Sequence, residues 1–244
     1  MRVTKWYFDC VGDNGDVAIA YWLRIGWGVA SLRFVSSLLY RDGKLTTNSR
    51  LSLAAPPRVH GDVLQWRAGE LFVDLQRRAP AHAASLLEGV VDWQCEMPSA
   101  DAVIRIGDTA VRGRGYAEVL SMSRAPWKLP IEELRWGRFT GERSSVVWID
   151  WRGPHPLTYV ACDGRRAEIA TVDDGRIFFD GRSVTMDMRQ VLRDAPLRET
   201  LDDVPLLARV LPGGLTAMRE CKWRSRGTLE GDRGWCIHEV VRFP

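Results

Sequence analysis

The sequence lacks the motifs that cofactor and metal chemistry usually requires. Its four histidines (His60, His82, His155 and His238) are scattered, and no HExxH or paired Cys/His spacing accompanies them. There is no GxSxG elbow, no P-loop and no GxGxxG at a strand–helix junction. Gly26-Trp27-Gly28 comes nearest, and no helical pattern follows it. We therefore expect neither a metal nor a nucleotide cofactor.

Long apolar runs and a disulfide pattern are also missing. No stretch is long and apolar enough to cross a membrane, and the opening MRVTKWYFDC has no apolar core of the signal-peptide kind. The five cysteines are an odd number, and none are spaced as CxxC. Without a secretion signal they indicate reduced residues of the core. The sequence therefore predicts a cytoplasmic protein with no transmembrane segment.

Lysine is rare, since it supplies only four of the 34 basic residues. The thirty arginines are mixed with acids along the chain, and the net charge is +3. A nucleic-acid surface would need a basic run or stripe. We therefore expect no nucleic-acid partner.

Turn signals between short apolar runs are abundant, whereas helix signals are few. Two-residue Asn-Gly and Asp-Gly joints supply the positive φ angles of tight hairpins. Seven joints fit: Asn14-Gly15, Asp42-Gly43, Gly107-Asp108, Asp163-Gly164, Asp174-Gly175, Asp180-Gly181 and the glycines from Gly231 to Gly234. Short helices remain open at Ala79–Val91 and within Met188–Val210. The pattern predicts an antiparallel all-β protein.

The segment Ser123–Ile131 contains Pro126 and Pro130 and interrupts the hairpin rhythm. Large antiparallel sheets avoid exposed edges by closing into barrels or packing as sandwiches. Two halves of about 120 residues fit two eight-stranded barrel-like units, and one continuous sandwich is the alternative. We take the domains as residues 1–124 and 125–244.

Two acids stand inside apolar strand patterns. Alternation places Tyr116 and Glu118 on one face of their strand, and Trp148 and Asp150 on one face of theirs. If such a face points inward, burial raises the pKa of the carboxyl group and makes it a candidate proton donor. The alternative is an ordinary ion pair with Arg124, Arg135, Arg138 or Arg152. Eleven tryptophans are enough to fill a core and also line a cavity.

Several motifs resemble, in order, those of the hydroxyneurosporene synthase (carotenoid hydratase) and AttH-like family. They are TKWYFDCVGDNGDVAIAYW, GRGYAEVLSMS, ELRWGRF and SSVVWIDW. The likeness is strongest over Gly113–Trp151. Where the family strand has Asp-His-Asn-Trp, this chain has Glu118-Val119-Leu120-Ser121, so the acid is kept and the His and Trp are not.

The resemblance implies two lipocalin-like β-barrel domains and an apolar pocket. It also implies relatives that hydrate alkenes, cyclise isoprenoids or shape polyenes for Diels–Alder cyclisation, without metal or nucleotide. On this basis Glu118 and Asp150 are the candidate general acids, and Tyr116, Trp136, Trp148 and Arg138 are the candidate substrate-binding residues.

Three hypotheses follow for the function. The first is a cofactor-independent hydratase, isomerase or cyclase that acts on an isoprenoid- or polyketide-like molecule. The second is a non-catalytic, lipocalin-type carrier of a hydrophobic ligand. The third is a stress- or membrane-associated scaffold that binds no ligand.

Overall fold

The computed structural model describes residues 1–201 and 217–244, in two compact units. The first unit is built on Met1–Lys128, and the second on Leu129–Glu199 with the C-terminal strands. The division falls between Lys128 and Leu129, inside the Pro-containing segment. Domain limits at residues 124 and 125 stay a prediction.

Ten strands of the first unit form one antiparallel sheet. They are β1 (Arg2–Gly12), β2 (Val17–Trp27), β3 (Ala30–Arg41), β4 (Lys44–Leu51), β5 (Val59–His60), β6 (Val63–Ala68), β7 (Leu71–Arg77), β8 (His82–Leu86), β9 (Val91–Ile106) and β10 (Thr109–Met122). Their order is β4-β3-β2-β1-β10-β9-β7-β6-β5, with β8 paired to β9. The long strands β1, β9 and β10 are therefore central.

Nine strands of the second unit form another antiparallel sheet. They are β11 (Glu133–Gly141), β12 (Ser145–Arg152), β13 (Leu157–Cys162), β14 (Arg165–Arg166), β15 (Ala170–Val172), β16 (Arg176–Phe179), β17 (Arg182–Pro196), β18 (Arg219–Leu229) and β19 (Asp232–Arg242). Their order is β14-β13-β12-β11-β19-β18-β17-β16-β15. Short 3-10 helices lie at Pro126–Lys128 and Leu197–Leu201.

All seven predicted turns connect neighbouring antiparallel strands. At Asp42-Gly43, for example, both residues have positive φ, at 51° and 75°. Asp and Gly tolerate this region at little steric cost, so local chemistry sets these turns. The prediction of an antiparallel all-β fold is confirmed.

The helix predicted as one option over Ala79–Val91 does not form, because His82–Leu86 pairs with β9 as a strand. The option within Met188–Val210 is wrong for its first part, where β17 continues to Pro196 and pairs with β18. Its second part, near residues 206–209, lies outside the described residues. Cross-strand pairing overrides a modest helical preference at both described places.

Each sheet carries its apolar core on one face. In the first unit the core contains Trp6, Phe8, Trp22, Trp66 and Ala117, with Ala, Val and Leu residues of β2, β6 and β7. In the second unit it contains Phe139, Val146, Trp148, Ile177 and Phe179. Some residues on the opposite faces of the central strands are also buried. Glu118 lies on such a face, and Asp150 lies at the edge of the core of the second unit.

No helix among residues 1–201 and 217–244 is long and apolar enough to cross a membrane.

Candidate functional site

Glu118 stands in the middle of the first sheet. It lies opposite Tyr7 of β1 on one side and opposite Cys95 of β9 on the other. Its neighbour Ala117 belongs to the apolar core, so alternation turns Tyr116 and Glu118 to the other face. That face is nevertheless closed to solvent at this point, because Tyr116 is 0% and Glu118 only 4% exposed. The carboxyl group is therefore buried.

Two donors converge on one oxygen of this carboxyl group. Trp93 Nε1 donates to Glu118 Oε2 at 2.6 Å, and the Tyr116 hydroxyl donates to the same oxygen at 2.7 Å. An indole N–H can only donate, so Oε2 must act as the acceptor. When Glu118 is protonated, this arrangement favours the proton on Oε1. These two hydrogen bonds hold the carboxyl group of Glu118 in one orientation.

Irregular pairing between β9 and β10 brings the anchor into place. The register shifts between Gly115 and Ala117 and again between Ala117 and Glu118. Beyond the shifts, Cys95 stands opposite Glu118 and Trp93 opposite Leu120. Bulges of this kind re-aim side chains beside functional sites. Here they aim Trp93, 25 positions away along the chain, at the carboxyl group.

Burial dominates the electrostatics around Tyr116. It raises the pKa of the Tyr116 phenol well above the usual value, and negative charge at Cys95 and Glu118 would raise it further. Burial likewise raises the pKa of the Cys95 thiol, which hydrogen-bonds with Tyr116. Both groups stay neutral at physiological pH. Tyr116 can therefore act as a hydrogen-bond donor and is a poor proton acceptor.

A second tyrosine–acid pair, which the sequence analysis did not identify, lies on the adjacent strand. The Tyr7 hydroxyl donates to Asp9 Oδ2 at 3.0 Å, and Asp9 is 0% exposed. Asp9 stands opposite Tyr116, and the Tyr7 and Tyr116 rings are 6.0 Å apart at an angle of 60°. The signal was present in the sequence, since Tyr7-Phe8-Asp9 repeats the spacing of Tyr116-Ala117-Glu118.

An imidazole lies behind the Trp93 anchor. The His82 ring meets the Trp93 ring edge to face, with centroids 5.3 Å apart. Burial lowers the pKa of His82, and a backbone hydrogen bond with Pro80 opposes that shift. The imidazole is therefore neutral at pH 7 and packs as an aromatic ring.

Asp150, the other candidate acid, has different surroundings in the second unit. Its Oδ2 lies 3.0 Å from Arg152 Nε, and its Oδ1 accepts a hydrogen bond of 2.7 Å from the Thr158 hydroxyl. The Arg152 side chain is 44% exposed. This is the ion-pair arrangement that the sequence left open as the alternative. Asp150 itself is only 7% exposed, so its carboxyl group is buried and paired with a partly exposed arginine.

The three remaining candidates divide between the faces of β11 and β12. Trp148 belongs to the apolar core and stands opposite Gly137, where a side chain would collide with its ring. Trp136 and Arg138 are on the opposite face of β11. Arg138 is 0% exposed and donates to Thr140 Oγ1 at 3.2 Å and to the Trp235 carbonyl at 3.1 Å.

A buried charged row accompanies Trp136. Lys222, 1% exposed, pairs with Glu239 and lies 3.3 Å from Glu220 and 5.9 Å from the Trp136 ring centroid. Arg193 lies 3.2 Å from Glu220. Burial raises the pKa of Glu220, and the Lys222 charge opposes that shift. The row thus contains two basic residues, Lys222 and Arg193, and two acidic residues, Glu220 and Glu239.

The structure thus brings Tyr116 and Glu118 into direct contact in the first unit. It places Trp136, Arg138, Trp148 and Asp150 in the second. Within residues 1–201 and 217–244, no group of three or more His, Cys, Asp or Glu side chains is arranged to hold a metal ion.

Comparisons with known proteins identify the fold. No family model matches the sequence, and no curated protein matches it significantly. An AttH-like protein of Nitrosomonas europaea is similar in structure, with a TM-score of 0.63, 11% identity, and 98% of this chain and 92% of that chain covered. CghA gives a TM-score of 0.62 at 12% identity, with 99% and 88% covered, and has also been solved with Sch210972.

Kievitone hydratase of Nectria haematococca is a third similar structure, with a TM-score of 0.55, 8% identity, and 98% and 88% of the two chains covered. These identities are too low to transfer an activity, so the likeness concerns the fold alone. The sequence resemblance to AttH-like proteins is thereby confirmed at the level of fold: the chain consists of two lipocalin-like antiparallel β domains, as AttH-like proteins and CghA do.

Proposed function

We propose that the protein binds an apolar, chain-like small molecule at the Tyr116–Glu118 face of the first domain and that Glu118 protonates it. The observation that carries this proposal is a buried Glu118 whose Oε2 accepts hydrogen bonds from both Trp93 and Tyr116. Such an acid is held in one orientation, as general acid catalysis requires. The similar structures include one named a hydratase, which is in keeping with this chemistry.

The surroundings of Glu118 suit a reaction that develops positive charge. Tyr7, Tyr21, Trp93 and Tyr116 lie around the two acids, and the rings of Tyr7 and Tyr21 meet at 5.3 Å. An aromatic face attracts a cation by about 2 kcal/mol or more where water is excluded. Proton transfer from a positioned acid contributes about a hundred- to ten-thousand-fold in rate. Protonation of an alkene or an enol-type carbon would benefit from both effects.

Asp9 gives the site a second carboxyl group. Asp9 and Glu118 are diagonal neighbours across β1 and β10, so their Cα atoms are about 7–8 Å apart. A pair at this spacing allows one acid to donate a proton while the other accepts one from water or substrate. Hydration and isomerisation both need such a donor and acceptor. Cyclisation initiated by protonation needs the donor first.

The other candidate residues have different proposed roles, structural for two of them and substrate-binding for the other two. Asp150 is held by Arg152 and Thr158, and Trp148 is part of the core, so we assign their main contribution to structure. Trp136 and Arg138 stay proposed substrate-binding residues. We prefer Glu118 over Asp150 as the acid because the two donors to its Oε2, Trp93 and Tyr116, are neutral, whereas Asp150 is paired with the charged Arg152.

A carrier is the competing function, and one experiment separates the two. The protein is incubated in D₂O with isoprenoid alcohols, dienes and fatty acids. Mass spectrometry then measures the molecular mass of each recovered compound. Saturable quenching of tryptophan fluorescence reports binding. An acid catalyst transfers deuterium to carbon, or adds water, and Glu118→Gln abolishes this while binding persists. Binding without deuterium gain in any compound identifies a carrier, and absence of any binding supports the scaffold.

A further inference from the structure

The β2–β3 hairpin ends in an exposed apolar tip. Trp27 and Ala30 form its last pair, and Gly28-Val29 make the two-residue loop, with Gly28 at a φ of 56°. Val29 is fully exposed and Trp27 is 37% exposed. The Val29 side chain is therefore buried by nothing in the fold, and part of the Trp27 ring remains exposed beside it. Their placement calls for a partner.

A third apolar residue lies beside the base of the hairpin. Leu53 is 94% exposed, and its carbonyl oxygen accepts a hydrogen bond of 3.3 Å from Arg33 Nη1. The adjacent Ser52 donates its N–H to the Arg33 carbonyl at 3.1 Å. The segment after β4 is therefore attached to the start of β3, and it adds an exposed leucine to this end of the sheet.

Three arginines lie at the same end of the sheet, and no acid within residues 1–201 and 217–244 stands opposite them in the strand pairing. Arg24 of β2 stands directly opposite Arg33 of β3, and Arg2 of β1 stands opposite Gly26. In the part of the chain that the structure describes, none of the three forms an ion pair. Like charges directly opposite each other destabilise a sheet. An external anion would offset that cost.

The sequence around this end is free of acidic residues. Aspartate and glutamate make up 31 of the 244 residues, yet none occurs from Val17 to Arg41 or from Lys44 to Arg58. The missing acids extend the positive character of the arginine trio along β2, β3 and β4. This pattern favours an anionic surface as the partner.

We propose that Trp27, Val29, Leu53, Arg2, Arg24 and Arg33, together the hairpin patch, dock the protein on an anionic phospholipid bilayer. Tryptophan favours the boundary between headgroups and acyl chains, and exposed aliphatic side chains insert just below it. Arginines at the base are drawn to the negative leaflet surface. The patch lies on the hairpin end of the first domain and does not depend on Glu118 or on any catalytic role.

Vesicle sedimentation tests the docking. Wild-type protein is mixed with phosphatidylcholine vesicles and with vesicles containing phosphatidylglycerol, at low and high salt. We expect binding to the anionic vesicles alone, weakened by salt. Each arginine contributes about 1 kcal/mol near such a surface, so Arg24→Gln/Arg33→Gln lowers the partition coefficient by about 30-fold. Trp27→Ala/Val29→Ser lowers it by roughly ten-fold or more.

Matched controls change equivalent residues elsewhere. Leu45→Ser removes an exposed leucine from the β3–β4 hairpin, and Arg112→Gln/Arg165→Gln removes two exposed arginines that are not part of the patch. Both control variants should bind as wild type does. Thermal melts confirm that each variant is folded. If a patch variant is unstable, Trp27→Phe serves instead, since its difference spectrum against wild type isolates Trp27 emission, which shifts to the blue on anionic vesicles.

The inference is overturned by any of three results. Wild-type protein does not bind the anionic vesicles at low salt; or the patch variants and the controls bind equally well; or Trp27 emission is unchanged by vesicles that sediment the protein.

Discussion

Tyr7 of β1 lies directly opposite Glu118 of β10, and each residue belongs to a tyrosine–acid pair with a spacing of two. The strands are antiparallel, so the two pairs run in opposite directions and the acids are diagonal to each other. The four side chains share the face opposite the apolar core. Two phenols and two carboxyl groups are thus held together where water has little access.

The anchoring of Glu118 makes its variants differ in stability. Glu118→Gln keeps an oxygen that accepts from Trp93 and Tyr116, so we expect the free energy of unfolding to change by less than about 1.5 kcal/mol. Glu118→Ala leaves two buried donors without an acceptor, which costs about 1–3 kcal/mol for each. Urea unfolding measures both. A loss of about 3–5 kcal/mol in Glu118→Gln would instead indicate a broken buried ion pair.

The ion pair between Asp150 and Arg152 predicts that removing the Asp150 charge lowers stability only slightly, by an amount that depends on salt concentration. Because Arg152 is 44% exposed, Asp150→Asn should lower the free energy of unfolding by about 1 kcal/mol or less. The Thr158 hydroxyl can still donate to the amide oxygen. The difference from wild type should shrink in high salt. We expect ligand binding and deuterium transfer to be unchanged, and a loss of transfer with intact binding would restore Asp150 as the acid.

His238 predicts acid lability of the second domain. Burial lowers its pKa from 6.5 to about 3, with the Arg189 charge acting in the same direction. Below pH 6.5, His238 is protonated in the unfolded chain but stays neutral in the folded protein. Stability therefore falls as the pH drops from 6.5 towards 3, with a slope of about 1.4 kcal/mol per pH unit from this group.

His238→Gln tests this slope, since glutamine can still hydrogen-bond the Ser225 hydroxyl, which lies 2.8 Å from Nε2. Urea unfolding between pH 6.5 and pH 4 should show a flatter dependence in the variant. His155→Gln, at an exposed position, is the control and should follow wild type. Identical slopes in all three proteins would show that His238 takes up its proton in the folded state.

The close packing of Gly137 against Trp148 predicts that no larger side chain fits at position 137 without strain. A Cβ at this position would stand 2.3 Å from the Trp148 ring and 2.7 Å from the His238 Cβ. Gly137→Ala therefore forces a core tryptophan to move, at about 1–3 kcal/mol. At Gly26, also in a strand, the nearest atoms to an added Cβ are 3.9 Å away, so Gly26→Ala should keep or slightly raise stability. Thermal melts of the two variants compare them, and equal melting temperatures would contradict the close packing.

The sequence by itself determined the turns, because Asp-Gly and Asn-Gly joints carry their conformation locally. It also placed Tyr116 and Glu118 on one face, since strand alternation has a period of two. Asp150 and Arg152 share a face for the same reason, and their pairing was among the alternatives that the sequence left open. The Pro-containing segment stays the predicted domain boundary, and the division between the two compact units falls inside it.

The difference between the two acids, by contrast, depends on contacts between distant parts of the chain. Trp93 reaches Glu118 because bulges in β9 shift the register of its pairing with β10. The alternation of side chains along a strand does not predict where such bulges occur. Asp9 joins the site because β1 pairs with β10, more than a hundred positions away along the chain. Likewise, His82–Leu86 forms a strand because its backbone pairs with that of β9. The chemical setting of a buried carboxyl group depends on long-range neighbours, and those neighbours are fixed by strand pairing.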